Sequence, residues 1–295
     1  MVQTLTLQGC GCATVAGLLL NACVAAWARA GGGAGALAVK RHPLFLVHSS
    51  ASAPLWMWML SATLQSCVYP VLFALSAGRG RPAAFAAGAV DASASWLAGT
   101  DSRLLSAPNS PDLMYLRWFL YVFFGYLARD LPFTLGDPMF MVHHLACMAG
   151  IWTTLESTSP GAVSAALGIL ILESGSLFFN LWSVDGVVRV FPGRLPLWPR
   201  FPGGWGEYLL EQSYIVGTTA SNVGSWYFLY LTANAAWAAG DDVFAWFAMV
   251  SGTLLILFRE WEIIKVVRGQ VQKPGLREED RAWVEEAKSA EKKTL

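Results

Sequence analysis

The chain has 295 residues, of which 55% are hydrophobic and only 14% are charged, and its formal net charge is zero. Soluble domains carry about 25% charged residues, so this composition is that of an all-α polytopic membrane protein. A neutral chain gives no reason to expect nucleic-acid binding. The five cysteines form no CxxC pair, which argues against a disulfide framework and favours packing roles.

Hydropathy and flanking breakers predict about seven transmembrane helices. The predicted spans are 5–27, 44–76, 113–129, 138–155, 161–183, 209–235 and 243–267. The first span could instead be a signal peptide cut near Ala28, but it has no positively charged start, so a retained helix is favoured. Pro54 predicts that the long second span is kinked or begins outside the hydrocarbon core.

Two of the helix boundaries have clear local signals. Asp137 can cap the fourth helix, and Pro138 can take its first position, where a missing N–H costs nothing. The Ser-Pro-Gly sequence at 159–161 breaks the chain before the fifth helix. The Pro- and Gly-rich stretch 191–206, within the connection 184–208, is predicted to be a nonhelical interfacial loop.

Lys and Arg are distributed unevenly among the predicted connections. Loops 28–43 and 184–208 and the C-terminal tail contain several Lys and Arg residues, whereas loops 156–160 and 236–242 contain neither residue. The positive-inside rule therefore places the C-terminus in the cytosol and the N-terminus outside. The connection 77–112 holds three arginines on the opposite side, but long connections carry less weight in this rule.

The topology divides the chain into an N-terminal transmembrane helix with a cytosolic loop (1–39), a six-helix membrane domain (40–268) and a charged cytosolic tail (269–295). The tail is predicted to be a solvated helix with i,i+4 charge pairs. It ends in KKTL, which resembles the dilysine signal that returns membrane proteins to the endoplasmic reticulum, a receptor-read address. The endoplasmic reticulum membrane is therefore the expected location.

Two adjacent histidines, His143 and His144, lie about two turns into the predicted fourth helix. An ionisable group at membrane depth is costly unless it has a partner or a water-filled cavity, so the pair marks a functional site. Adjacent helical residues point about 100° apart. One histidine is therefore expected to line a cavity while the other reaches a neighbouring helix.

The next two predicted helices supply further polar groups at membrane depth. Glu173 needs a partner, because a buried carboxylate is either neutral or paired, and a histidine of the fourth helix is the expected one. Asn180 lies two turns further along the same helix face. The sixth helix carries a polar stripe that predicts a hydrophilic cavity or a hydrogen-bonded interface: Glu207, Glu211, Tyr214, Thr218, Asn222 and Ser225. Hydrogen bonding between helices is favoured for Thr218 and Ser225.

The third helix and the start of the second complete the set of polar candidates. The third helix contributes Arg117, Tyr121, Tyr126, Arg129 and Asp130. Arg129 is expected to snorkel to the membrane interface. His48 lies at the start of the second helix, and His42 is expected at the surface.

The sequences GYLARD, DPMFMVHHLAC and ESGSLFFNLW, in this order, resemble the TLC-domain family, which includes ceramide synthases and translocating-chain-associated membrane proteins. The resemblance is strongest over 110–185 and extends to about 40–268. It implies six helices around a lipid-accessible cavity, usually with one extra N-terminal helix. In ceramide synthases paired aspartates follow the paired histidines, whereas here no aspartate occurs between His144 and Asp185. The chain is therefore more similar to the non-synthase members.

One hypothesis is a lipid-modifying enzyme, most plausibly a CoA-dependent acyltransferase. A neutral histidine would accept the proton of an attacking amine or hydroxyl, or take the acyl group itself. The expected catalytic residues are His143, His144, Asp130, Glu173 and Asn180, with the carboxylates orienting an imidazole and the amide stabilising an oxyanion. The expected lipid- or substrate-binding residues are Arg117, Tyr121, Tyr126, His48, Glu211, Tyr214 and Asn222. No metal or cofactor is expected beyond acyl-CoA as a co-substrate.

The other hypothesis is a non-enzymatic protein that binds or senses membrane lipids. In that case the histidines are satisfied by Glu173 and fix the packing of the helices. Membrane lipids are the expected partners in both cases, and a homodimer is left open. A histidine-rich di-iron site is set aside because the chain has only four histidines. A transporter is disfavoured because no paired discontinuous helices are evident in two halves.

Overall fold

The computed structural model describes residues 6–19, 114–131, 138–159, 161–190 and 205–270. These ranges contain helices and no strand, which agrees with the predicted all-α class. The six helices are α1 (Thr6–Leu19), α2 (Met114–Asp130), α3 (Pro138–Glu156), α4 (Ala162–Val190), α5 (Trp205–Ala238) and α6 (Asp242–Val267). The predicted helix 44–76, His42, His48, the Asp137 cap, the connection 77–112 and the tail beyond residue 270 lie outside the described residues.

The boundaries of three helices agree with the predictions to within one residue: α2, α3 and α6. Pro138 is the first residue of α3, as its missing N–H allows. The other two long helices extend into the connection 184–208, and the prediction that all of 191–206 is nonhelical is wrong for residues 205–206. α4 continues to Val190 because its next proline is Pro192, and a residue before proline disfavours the helical conformation. α5 begins at Trp205, directly after the sequence Pro-Gly-Gly at 202–204.

The helices pack mainly with their neighbours along the chain. α4 packs along α5, and α5 packs against α6, while α3 lies beside α2, α4 and α6. The connections from α3 to α4 and from α5 to α6 are short, so each pair is an antiparallel hairpin. The largest apolar core lies between α2, α3 and α4 and includes Phe119, Phe123, Ile151, Leu155 and Leu170. A smaller aromatic core joins α4, α5 and α6 around Trp182 and Tyr214.

The turn between α5 and α6 is set by a glycine. Gly240 has a φ of 76°, which L-residues with a side chain rarely adopt. Its N–H bonds the Trp237 carbonyl, and the N–H of Asp241 bonds that of Ala236, which satisfies the last carbonyls of α5. The Asp241 carboxylate then accepts a hydrogen bond from the N–H of Phe244 and caps α6. This turn reverses the chain direction, so α6 packs antiparallel to α5.

α1 contacts α2 through small residues. A Cβ at Gly125 would lie 2.5 Å from the carbonyl carbon of Ala13, and one at Gly9 would lie 2.7 Å from the ring of Tyr121. Glycine therefore allows the two backbones to approach closely, as is common between membrane helices. α1 is thus part of the packed structure.

Two of the described helices are long and apolar enough to cross a membrane: Ala162–Trp182 within α4, and α6. α6 has an outer face of exposed apolar side chains spaced three or four residues apart, comprising Val243, Trp246, Val250, Leu254, Leu257 and Trp261. A stripe of this kind along a whole helix is unusual for a water-facing surface. By length and composition these two helices are candidate membrane spans.

Candidate functional site

A buried polar cluster lies where α4, α5 and α6 meet, and its centre is Arg259 of α6. One guanidinium nitrogen, Nη1, lies 3.5 Å from Oε1 of Glu173 and donates to the hydroxyl of Ser176 at 3.1 Å. Nη2 donates to the backbone carbonyl of Leu172 at 2.9 Å, and Nε donates to Oδ1 of Asn222 at 3.0 Å. The arginine therefore binds two helices at once.

A second set of hydrogen bonds completes this cluster. The Ser176 hydroxyl donates to Oε2 of Glu173 at 2.8 Å, so both carboxylate oxygens have a partner. The Asn222 side-chain amide donates to Glu260 at 2.7 Å while its oxygen accepts from Arg259. Glu173 is 5% exposed and Asn222 is 1% exposed. Buried polar groups are tolerated when they are satisfied in this way.

The polar stripe predicted on α5 makes the expected interhelical contacts in part. The Thr218 hydroxyl donates to the carbonyl of Gly175 on α4 at 3.3 Å, which confirms the prediction of hydrogen bonding between helices. Asn222, one turn later, reaches α6 as described above. Ser225 is buried and lines the cavity described below.

The histidine pair of α3 lies at the edge of this cluster. The His143 ring packs against His144 with centroids 5.7 Å apart, and against Phe258 of α6 at the same distance. Its Nε2 lies 3.7 Å from Sγ of Cys147, one helical turn away. Its Nδ1 is buried and has no hydrogen-bond partner among the residues that the structure describes. His144 is 8% exposed and lies within electrostatic range of Glu173.

The partner of Glu173 differs from the one the sequence predicted. A histidine was expected, but the direct ion pair is with Arg259, and His144 interacts with the carboxylate at longer range. The sequence reasoning missed Arg259 because it stands near the end of an apolar helix, where an arginine usually reaches the interface. The signal that could have found it is its position in α6. Because α5 and α6 form an antiparallel hairpin, Arg259 lies opposite Asn222 of α5.

A cavity of about 80 Å³ lies between α3, α4, α5 and α6. This is several times the roughly 10–15 Å³ that a single water molecule needs. Its walls are mostly apolar or small, and they include Gly150, Gly168, Leu172, Leu229, Phe247 and Leu255. Glu173 is the one charged side chain among the described residues that line it. The cavity is therefore apolar along its length, with a carboxylate at one place in its wall.

The hydroxyls in the cavity wall are largely satisfied by their own helices. Those of Thr154, Thr232 and Ser251 each donate to the backbone carbonyl four residues earlier, at 2.6–2.8 Å. They therefore offer little polarity to the cavity interior. Neither histidine belongs to the described lining, and Cys147 stands between His143 and the cavity. One histidine was expected to line a cavity, but neither His143 nor His144 is among the described residues that line this one.

Asp130, the other predicted catalytic carboxylate, is paired with its neighbour Arg129. Their Nε–Oδ1 distance is 3.0 Å, and both side chains are 1% exposed. The guanidinium also stacks over the ring of Tyr126, with its Cζ 4.9 Å from the centroid. The prediction that Arg129 snorkels to the interface is wrong, because the carboxylate and the aromatic face compensate its charge within the protein.

The remaining predicted binding residues lie in separate places. Tyr121 packs against α1, where it bonds the hydroxyl of Thr6, and Arg117 is half-buried one turn earlier on α2. Tyr214 stacks on Trp182 with centroids 5.1 Å apart. Asn180 is buried and Glu211 is half-buried. Of the predicted set, the structure brings His143, His144, Glu173 and Asn222 together around Arg259.

The ranges that the structure describes contain no group of three or more His, Cys, Asp or Glu side chains placed to hold a metal ion. Comparisons with protein-family models, with curated proteins and with solved structures find no match to this chain.

Proposed function

We propose that this chain is a multi-pass membrane protein that binds the apolar chain of a lipid in the cavity between α3 and α6 and acts in membrane lipid metabolism or homeostasis. The observation that carries the proposal is an apolar cavity whose wall includes one carboxylate, Glu173, from the buried polar cluster. Ligand sites commonly combine apolar walls with a few placed polar groups. A single-chain amphiphile has the matching chemistry, with an apolar chain for the apolar walls and a polar head for the carboxylate.

The exposed apolar stripe of α6 supports placement in a bilayer, because lipid is the solvent that such a face favours. In this proposal the chain has seven spans, with its C-terminus in the cytosol and its location in the endoplasmic reticulum. The resemblance of GYLARD, MVHHLAC and ESGSLFFNLW to the TLC-domain family points to the same class of protein. Six of the spans would form a TLC-type bundle.

The lipid-binding proposal is tested by filling the cavity. Gly150 lines the cavity, and a Cβ added there meets no atom within 4 Å, so Gly150→Leu should occupy the space without displacing backbone. Gly11→Leu is the matched control, because Gly11 is exposed on α1 and also has open space. Both changes alter helix propensity equally.

Each purified full-length variant would be analysed by mass spectrometry for lipids retained through extraction. We expect at least a fivefold loss of the retained lipid in Gly150→Leu and an unchanged amount in Gly11→Leu. Equal retention in the two variants, with both folded, would show that the cavity does not hold lipid.

A second candidate function is acyl transfer, and the specific observation in its favour is the buried Nδ1 of His143, which has no hydrogen-bond partner within the described ranges. An imidazole with an uncommitted nitrogen is the kind of group that serves as a general base. Purified protein would be given fatty acyl-CoA with a long-chain amine as acceptor. Turnover that His143→Ala and His144→Ala reduce at least a hundredfold favours the enzyme. Lipid retention without turnover favours the binding protein.

A further inference from the structure

Cys147 occupies a particular position between the histidine pair and the cavity. Its thiol is buried, it belongs to the cavity wall, and its Sγ lies 3.7 Å from Nε2 of His143. The two residues are four apart on α3, so the helix itself holds them on one face. The described residues thus place a thiol and an imidazole together beside an apolar cavity.

We propose that Cys147 is a covalent acceptor for a fatty acyl group, with His143 as its base. This inference deepens the proposed function, because it rests on the cavity holding an acyl chain. A thiol is a strong nucleophile, and an adjacent histidine is one of the ways in which proteins activate it. Sequence reasoning treated all five cysteines as packing residues, since only the fold brings one of them to a cavity wall.

The chemistry is a thioester exchange. The Sγ proton of Cys147 moves to the unprotonated Nε2 of a neutral His143, and Sγ attacks the carbonyl carbon of a fatty acyl thioester. The bond between that carbon and the sulfur of the donor breaks, and the leaving thiolate takes the proton from the imidazolium. The products are S-acyl Cys147 and a free thiol, and no oxidant or reductant is consumed.

The surroundings favour an acyl chain over a small acyl group. From Cys147 the cavity continues past Gly150 and Thr154 on α3, with Phe247 and Leu255 of α6 also in its wall. An apolar chain attached at Sγ would contact these apolar walls along its length. His143 is a catalytic residue in this step because it contacts the reacting sulfur.

The experiment uses the purified full-length protein in lipid nanodiscs and an alkyne-bearing palmitoyl-CoA as the probe. We expect one acyl group per chain by intact mass, mapped to the peptide that contains Cys147 and released by neutral hydroxylamine. Cys147→Ala should lower labelling at least tenfold. Cys12→Ala is the matched control, because Cys12 is exposed on α1 and its removal should leave labelling unchanged.

His143→Gln should slow labelling by about a hundredfold, the lower end of the effect of removing a general base. Three results would overturn the inference: no label in the unsubstituted protein, a label mapped to another cysteine, or a label that persists in Cys147→Ala. The peptide map of the unsubstituted chain decides the site even if a variant fails to fold.

Lipid retention measured in the same samples separates this inference from the proposed function. Retained lipid without a covalent label overturns the acyl-cysteine alone. If Gly150→Leu retains as much lipid as Gly11→Leu, with both variants folded, the proposed function itself is overturned.

Discussion

Arg259 and Glu173 form an ion pair that joins α6 to α4 across 86 residues of chain, with Nη1 and Oε1 3.5 Å apart. The two side chains are only 11% and 7% exposed. The arginine also binds Asn222 and the carbonyl of Leu172. Its side chain therefore connects polar groups of α4, α5 and α6.

Removing the arginine alone should destabilise the fold strongly. Arg259→Gln leaves the Glu173 carboxylate buried without its cation, and breaking a buried pair in this way costs about 3–5 kcal/mol. The free energy of unfolding would be measured by reversible denaturation in mixed micelles. Lys265→Gln is the control, because the Lys265–Glu262 pair is partly exposed and should change stability by no more than about 0.5 kcal/mol. Equal effects of the two substitutions would contradict the assigned role.

Removing both charges should be less harmful than removing one. In Glu173→Gln with Arg259→Gln no unpaired charge is left buried, and replacing a buried pair by uncharged groups is often close to neutral; the single Glu173→Gln variant completes the cycle. We therefore expect the double variant to recover at least about 1 kcal/mol relative to Arg259→Gln, a coupling typical of residues in contact. The same denaturation series measures it. Additive losses in the double variant would show that the pair is not coupled.

Replacing Asn222 should lower the stability of the fold by more than the loss of a small side chain would. Asn222→Ala removes the acceptor of Arg259 and the donor to Glu260, and a hydrogen bond to a charged group contributes about 1.5–3 kcal/mol. Ser213→Ala is the control, since Ser213 is exposed on the same helix. Thermal unfolding of the purified protein would compare them. A loss in Ser213→Ala as large as that in Asn222→Ala would contradict the prediction.

Gly125 should not tolerate a methyl group. Its added Cβ would lie 2.5 Å from the backbone of Ala13, so Gly125→Ala must push α1 away from α2. Overpacking of this kind costs about 1–3 kcal/mol, although alanine is otherwise the better helix former by about 1 kcal/mol. Gly11→Ala, which meets open space, should be neutral or slightly stabilising. Higher stability of Gly125→Ala, measured by denaturation, would show that α1 does not pack there.

The helices were predictable because their signals are local. Pro138 starts α3, and the boundaries of α2 and α6 follow the ends of apolar runs within one residue. The ends of α4 and α5 were less predictable. The stretch that leads to Val190 contains polar residues and a glycine but no proline, and it continues the helix.

The sequence by itself determined that this chain is helical and apolar, and that His143, His144, Glu173 and Asn222 are polar groups within hydrophobic helices. Composition and spacing carry this information, since they depend on neighbours a few residues apart. Only the tertiary structure decided that Glu173 pairs with Arg259 and that Cys147 lies between His143 and a cavity. Partners across helices depend on the rotation and depth of each helix in the bundle, and packing of the whole chain sets both.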